Sequence, residues 1–298
     1  MFKLIFFSSL LLFLTACSTK ESTLKHTLNS GCDFYSLKTA LCLNESQMVQ
    51  ALEPYQVIFI GDHHGEDNMH LKVANLITAL SKRGTKVHLA NEWFYPNDQE
   101  VLDKFVSSNL NETEFLKAIK WKERLKYNKY SSFKPMYEAV KQNHGQLHGI
   151  NLSKKERKKI SKQSISVMNK DERTFNKTLD LQVAPHRALI IPFLSHCHAP
   201  KKGESLEQCQ ERMYRVQVAW DTKMAIESYK LSQKLKPNEK LIVFAGAMHI
   251  ETRLGIPLRF ARLTNIPFVT IIPADTTTKE VDNDAGDYIL FYNAMPEE

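Results

Sequence analysis

Three short apolar runs in this chain stop on residues that can do chemistry. Val57-Ile58-Phe59-Ile60 ends in Gly61-Asp62-His63-His64-Gly65-Glu66, with His70 one to two helical turns further on. Lys86–Ala90 ends in Asn91-Glu92-Trp93, and Leu241–Ala245 ends in Gly246-Ala247-Met248-His249. Imidazoles and carboxylates brought together can bind a metal, activate water or pass a proton. A lone histidine is usually a hydrogen-bonded structural residue. Three strand ends that all present histidine or carboxylate instead point to a shared site, with Asp62, His63, His64, Glu92 and His249 as its candidate members.

Such residues meet only if their strands lie side by side in one orientation. The three runs are short and continuous, as strands buried on both faces of a parallel sheet are. Met69, Val73, Leu76, Ile77 and Leu80 follow the first run at helical spacing. Helical periodicity returns from about 99 to 119 and from 135 to 142, and residues 146–150, 268–272 and 288–292 read as further strands. This alternation predicts an α/β fold with a mainly parallel sheet flanked by helices. In open sheets of that kind, ligands gather at the carboxyl ends of the strands. Residues of about 100–132 and 152–215 carry few strand signals and are expected to form a smaller all-helical lobe, so that the α/β domain with its lobe runs from 46 to 298. The Lys-rich stretch from Lys117 to Lys162 is a solvated helix surface that can also attract anionic ligands.

The first residues bear on compartment. Lys3 is the only charge before Cys17, and Leu4 to Leu14 is apolar apart from Ser8 and Ser9. This reads as a secretory signal, too short to span a bilayer, which needs ~20 apolar residues. Leu14-Thr15-Ala16-Cys17 resembles the lipobox of bacterial lipoproteins. That resemblance implies cleavage after residue 16 and lipidation (palmitate among the acyl chains) on Cys17. Residues 17–45 then form a lipidated linker and N-terminal segment, of which 18–30 read as a polar leash. Ser18 follows the cysteine, where an aspartate would suggest inner-membrane retention, so the expected location is the outer membrane, facing the periplasm. Several acyl chains on one cysteine give stable anchoring. The net charge of +7 falls to +6 when Lys3 is lost with the signal. Nucleic acid is a poor partner for an exported protein, whereas anionic headgroups or a carboxylate-bearing ligand suit the charge. Cys32, Cys42, Cys197 and Cys209 allow three disulfide pairings, among which the local one would close two short loops. No Cys-x-x-Cys-His occurs, which excludes covalent haem attachment.

The strand-end motifs resemble those of a superfamily holding ChaN-type haem-binding lipoproteins, Tiki-type metalloproteases and erythromycin esterases. The resemblance rests on Gly-acidic-x-His at 61–64, Glu92, and Gly246-x-x-His249 followed by Gly255-Ile256-Pro257. Gln217, Asp221, Met224-Ala225, His196-Cys197, Pro135, Glu138-Ala139 and Gly149-Ile150-Asn151 narrow it to the ChaN branch. It implies haem held by a tyrosine on iron in a pocket shared across a homodimer, with His and Lys meeting the propionates. It also implies iron acquisition, with an outer-membrane haem receptor as partner. Phenolate is a hard ligand suited to ferric iron. The candidate iron ligands are Tyr214, which shares a helix face with Gln217 and Asp221, and Tyr130 and Tyr127 in a basic aromatic stretch. The propionate candidates are His196, His198, Lys201 and Lys202. The superfamily often carries glutamate where this chain has Asp62, a carboxylate one methylene shorter, so Asp62 and Glu92 are expected to order the strand-end loops.

Two other readings compete with the haem carrier. In a hydrolase, His64, Glu92 and His249 would bind a metal or activate water, although neither Gly-x-Ser-x-Gly nor His-Glu-x-x-His occurs. The third reading is a lipoprotein that binds a partner protein and no small ligand.

Overall fold

The computed structural model describes residues 25–28, 31–125, 129–162, 165–197 and 200–295. Its strands are β1 (Lys25–Thr27), β2 (Phe34–Ser36), β3 (Leu41–Leu43), β4 (Val57–Asp62), β5 (Lys86–Asn91), β6 (Gln146–Gly149), β7 (Glu239–Gly246), β8 (Phe268–Asp275), β9 (Glu280–Asp282) and β10 (Tyr288–Tyr292). Eight of them form one sheet in the order β3-β2-β10-β8-β4-β7-β5-β6. The six strands from β10 to β6 are parallel, while β2 and β3 add an antiparallel edge. β1 and β9 pair apart from this sheet.

Alternation along each central strand feeds two cores. Ile58, Ile60, Ile242 and Phe244 face one, and Val57, Phe59, Leu241, Val243 and Ala245 the other. The helices are α1 (Glu45–Ala51), α2 (Asp67–Lys82), α3 (Gln99–Val106), α4 (Glu112–Ile119), α5 (Trp121–Arg124), α6 (Tyr130–Gln142), α7 (Lys154–Lys162), α8 (Lys170–Lys177), α9 (Ala184–Ile190), α10 (Leu206–Ser232), α11 (Ala247–Ile250) and α12 (Ile256–Ala261). The first core takes apolar residues from α1 to α6, and the second takes Met224 and Ala225 of α10 and Ile256 and Phe260 of α12. Capping boxes at Asn44, Asn111, Asn169 and Ser205 start α1, α4, α8 and α10. Each satisfies backbone N–H groups that a helix start leaves without partners.

The single helical lobe is not what forms. Leu102, Phe105, Phe115, Ile119 and Trp121 bury themselves in the first sheet core, so α3–α5 belong to the main body. Residues of 152–194 build two small clusters against Ala219, Tyr214 and Val218 of α10. The two stretches thus attach to different places, the first to the sheet core and the second to α10. The leash is also shorter than expected, since Lys25–Thr27 pairs with Glu280–Asp282. Of the three cysteine pairings, the local one is present: Cys32–Cys42 clasps the β2–β3 hairpin and Cys197–Cys209 ties its loop to α10, with Cα separations of 5.6 and 6.0 Å. No helix among the described residues is long and apolar enough to cross a membrane. Cys17, Tyr127 and His198 lie outside the described residues.

Candidate functional site

β4, β7 and β5 are neighbours in the sheet and parallel, so their carboxyl ends deliver Asp62 and His64, His249, and Glu92 to one place. Chain order reverses there: β5 and β6 extend the sheet to one side of β7, and β4, β8 and β10 to the other. Gly246 is needed for closeness, because a Cβ on it would lie 3.2 Å from His64 Cε1. After His249 the chain turns through Thr252 and Arg253, both at left-handed φ of 56° and 59°. It then passes Gly255, where a Cβ would collide with the His249 carbonyl at 2.2 Å.

A chain of polar contacts crosses the site from one helical layer to the other. His70 Nδ1 lies 2.5 Å from Ser132 Oγ and 3.2 Å from the Ser132 carbonyl, and His70 Nε2 lies 2.7 Å from Asp62 Oδ1. The other oxygen of Asp62 accepts from His64 Nδ1 at 2.7 Å, and His64 Nε2 faces Glu92 Oε1 at 3.5 Å. Glu92 Oε2 faces His249 Nε2 at 3.7 Å, and His249 Nδ1 donates to Asp221 Oδ1 at 2.5 Å. Gln217's amide stands 3.0 Å from the same nitrogen. Asp221 Oδ2 lies 3.1 Å from His186 Nε2 without hydrogen-bond alignment, and His186 Nδ1 is 3.2 Å from the Tyr214 hydroxyl. Buried Arg259 supports Asp221 from 3.8 Å.

Burial and charge push these groups in opposite directions. Burial lifts Glu92 above its ordinary carboxylate value, partly opposed by His249 and His64. Burial would also raise Asp62 and Asp221, but hydrogen bonds and charge from their histidines more than offset it and hold both carboxylates low. Burial alone would lower His64 and His249; Asp62 and Glu92 raise the first, and Asp221 and Glu92 the second, above the usual histidine value. The result is one buried carboxyl group, shifted upward, between two imidazoles that are each backed by a carboxylate held low. Asp62, His64 and Glu92 offer three donor atoms within 4.8 Å of one another, a spacing a metal can use. Both Asp62 oxygens already accept from imidazoles, which leaves each one further lone pair.

The other candidates sit elsewhere. His63 turns away, its Nδ1 2.7 Å from the Tyr292 hydroxyl. Tyr214 is fully buried against His186, so its hydroxyl has no open face for a porphyrin, and burial raises its pKa against phenolate formation. This corrects the reading of Tyr214 as an iron ligand. The helix-face relation to Gln217 and Asp221 is real, but that face points inward. Tyr130 is likewise buried, and its pKa is raised, chiefly by burial. His196, Lys201 and Lys202 are exposed on the Cys197 loop and do not line the strand-end cleft described next.

That cleft, of about 270 Å³, opens over Glu92 and is walled by Trp93, Trp220, Leu125 and Leu152. Arg124, Lys154 and Arg157 bring cations to it, from within the Lys-rich stretch. Trp93 lies against His64 with ring centres 4.7 Å apart, and the Arg157 guanidinium sits 5.9 Å over the Trp220 ring. Tyr95 is the tyrosine that lines the cleft among the described residues, its ring under Arg124 at 4.2 Å. A Cβ on Gly149 would come within 2.1 Å of the Tyr95 carbonyl, so a glycine in β6 lets this loop lie flat on the sheet edge. The sequence reading did not single out Tyr95, although it follows Trp93 by two positions in a strand-end loop.

An α/β body with polar groups converging at the carboxyl ends of its parallel strands defines a ligand-binding protein of the open-sheet class. The family model for haem-binding uptake, Tiki superfamily, ChaN, matches residues 48–260, and the chain belongs to that family. Haem is the cofactor that goes with it. Among solved structures the chain is similar to ChaN of Campylobacter jejuni, described as showing cofacial haem binding, at 20% identity and a TM-score of 0.67, covering 88% of this chain and 96% of that one. The type III effector HopBA1 is similar at 16% identity and a TM-score of 0.49, covering 93% of this chain and 100% of that one. A mutant of the erythromycin esterase EreC, in its open conformation, gives 13% identity and a TM-score of 0.47, covering 81% of this chain and 77% of that one. Comparison with curated proteins returns no match.

Proposed function

We propose that the chain is a lipid-anchored haem carrier for iron acquisition that holds ferric haem at the strand-end cleft, with a second copy of the chain covering the exposed porphyrin face. The cleft carries this reading. Its two indoles offer apolar surface to a porphyrin, Lys154 and Arg157 offer cations to propionates, and Tyr95 offers a phenol to iron. Its volume of about 270 Å³ falls below the about 300–1,000 Å³ that encloses drug-sized ligands, so a porphyrin would overhang. A partner that covers the overhang removes apolar surface from water, which favours association. The cofacial arrangement in the Campylobacter protein is consistent with that geometry. The proposed iron ligand is Tyr95 or Tyr127; Tyr127 follows Leu125, a cleft residue, by two positions in the sequence. The anchor is Cys17, placing the body on the periplasmic side of the outer membrane, where a haem receptor would supply the cargo. Sedimentation with and without haemin tests the shared pocket. A shift from monomer to dimer is expected, and an unchanged mass with stoichiometric haem bound overturns it.

One observation favours a second reading. A buried Glu92 between two Asp-backed histidines, 3.5 and 3.7 Å away, has the layout of an acid–base apparatus, and it opens on a cleft. Glu92 would donate a proton to a leaving group while His64 or His249 accepts one from water. Turnover of ester substrates that Glu92→Gln abolishes would support it; a wild type inert across such a panel removes it.

A further inference from the structure

Two basic features of the sequence lie largely outside the strand-end cleft: the Lys-rich stretch, and the loop with His196, Lys201 and Lys202. The fold joins them. α7 carries six cations in nine residues, Lys154, Lys155, Arg157, Lys158, Lys159 and Lys162, against one acid, Glu156. At about 3.6 residues per turn, Lys154, Lys158 and Lys162 form one row with Lys155 beside it, and Ile160 falls on the opposite side. Ile160 is buried in a cluster with Leu152, Met168 and Ala219, so the lysine row faces outward. All four of these lysines are exposed.

The row continues into cations at both ends. At its start, Lys154 and Arg157 line the strand-end cleft. At its end, about 12 Å further along the helix axis, Lys201 Nζ donates to the Ser161 carbonyl at 3.3 Å, and Lys202 follows on the same exposed loop. The neighbouring acids are mostly engaged. Glu156 Oε2 accepts from the Ser153 N–H at 2.8 Å, and Glu172 pairs with Lys159 at 2.6 Å. Glu204 pairs with Arg212 at 2.7 Å and Glu211 with Arg187, while Glu207 borders the far end exposed. Lys154, Lys158 and Lys162 have no ion-pair partner among the described residues. Like charges four residues apart destabilise a helix, a cost that an anionic surface would offset.

We propose that the Lys154–Lys158–Lys162 row, with Lys155, Lys201 and Lys202, is a docking face for anionic lipid headgroups. The proposal rests on the reading of the chain as a membrane-anchored carrier. Lysine is a compact, strongly hydrated charge on a flexible stem, without the planar fork by which arginine fixes one carboxylate or phosphate. A row of lysines therefore suits a mobile layer of phosphates better than a single fixed partner. Six lysines fall within the about 4–8 cations of clusters that recognise anionic bilayers. An acyl anchor would keep the face close to the bilayer, and an anchor with a polybasic face holds better than either alone. Docked in this way, the chain presents its cleft, which shares Lys154 with the row, at the headgroup layer, where an amphiphilic, carboxylate-bearing cargo can enter or leave.

The test is co-sedimentation of the haem-free chain from residue 18 onward with vesicles of phosphatidylcholine, either alone or mixed with phosphatidylglycerol. Wild type should bind the mixed vesicles in low salt, release them in high salt and ignore the neutral ones. Each lysine at such a surface contributes about fivefold in affinity, so Lys154→Gln, Lys158→Gln and Lys162→Gln together should weaken binding about hundredfold. Lys38→Gln, Lys82→Gln and Lys279→Gln, exposed elsewhere, lower the net charge equally and should change binding little. If the row variant melts early, Lys158→Glu alone decides by the same loss. Anchor and haem are both absent from this assay, so failure of the carrier reading would leave its outcome unchanged. A wild type that does not distinguish the two vesicles overturns the proposal, as does a row variant that binds like wild type, or equal loss in both triple variants. Binding to polyglutamate without binding to the mixed vesicles would assign the face to an acidic protein and overturn lipid docking.

Discussion

Asp62 and Asp221 stand on opposite sides of Glu92 in matching roles. Each is buried, each orients an imidazole toward Glu92, and each has a second imidazole behind it: His64 and His70 for one, His249 and His186 for the other. Asp62 comes from the end of a strand and Asp221 from the middle of a long helix, so the likeness is one of chemistry. Each carboxylate fixes which ring nitrogen of its histidine carries a proton toward it, and so what the other nitrogen offers the cleft.

Asp221→Asn keeps the shape and removes the charge that His249, His186 and Arg259 surround. Removing one partner from a buried ionic cluster costs roughly 3–5 kcal/mol. A thermal melt should show a drop of several degrees, with Asp62→Asn behaving similarly. A variant that melts with wild type would mean that the cluster does not constrain the fold.

Glu92→Gln should behave differently, since glutamine imitates the protonated acid that burial favours. Glu92's folded pKa lies above its unfolded value of 4.5, so the folded chain binds the proton more tightly. The stability it contributes is present below 4.5 and is lost as pH rises through the folded value. The variant should match wild type in acid and exceed it at pH 8. Parallel stability curves for the two proteins across that window would contradict the assignment.

The strand-end residues were legible because a parallel sheet gathers its carboxyl ends, so Asp62, His64, Glu92 and His249 needed only the strands to be found. His186 was not, because it reaches Asp221 from a short helix 35 residues upstream with no periodic relation to it. Tyr214 showed the limit of helix-face reasoning: spacing says which residues share a face, and burial decides whether that face meets solvent. The hairpin Phe34–Ser36 with Leu41–Leu43 has strands of three residues, too short for periodicity to register.

The membrane anchor has its own test. Cys17→Ala removes the thiol that acylation needs, so the variant should lose radiolabelled palmitate and leave the membrane fraction. Retention of both would refute the lipobox reading.

Haemin titration followed by absorption spectroscopy bears most directly on the carrier at the cleft, run on wild type and on Tyr95→Phe, Tyr127→Phe and Tyr214→Phe. Each substitution keeps the ring and deletes the one atom able to bind iron. Wild type should saturate with a phenolate-to-iron charge-transfer band; Tyr214→Phe should keep it, and either Tyr95→Phe or Tyr127→Phe should lose it with weakened affinity. A wild type that does not bind haemin, or a band that only Tyr214→Phe abolishes, would contradict haem binding at this cleft.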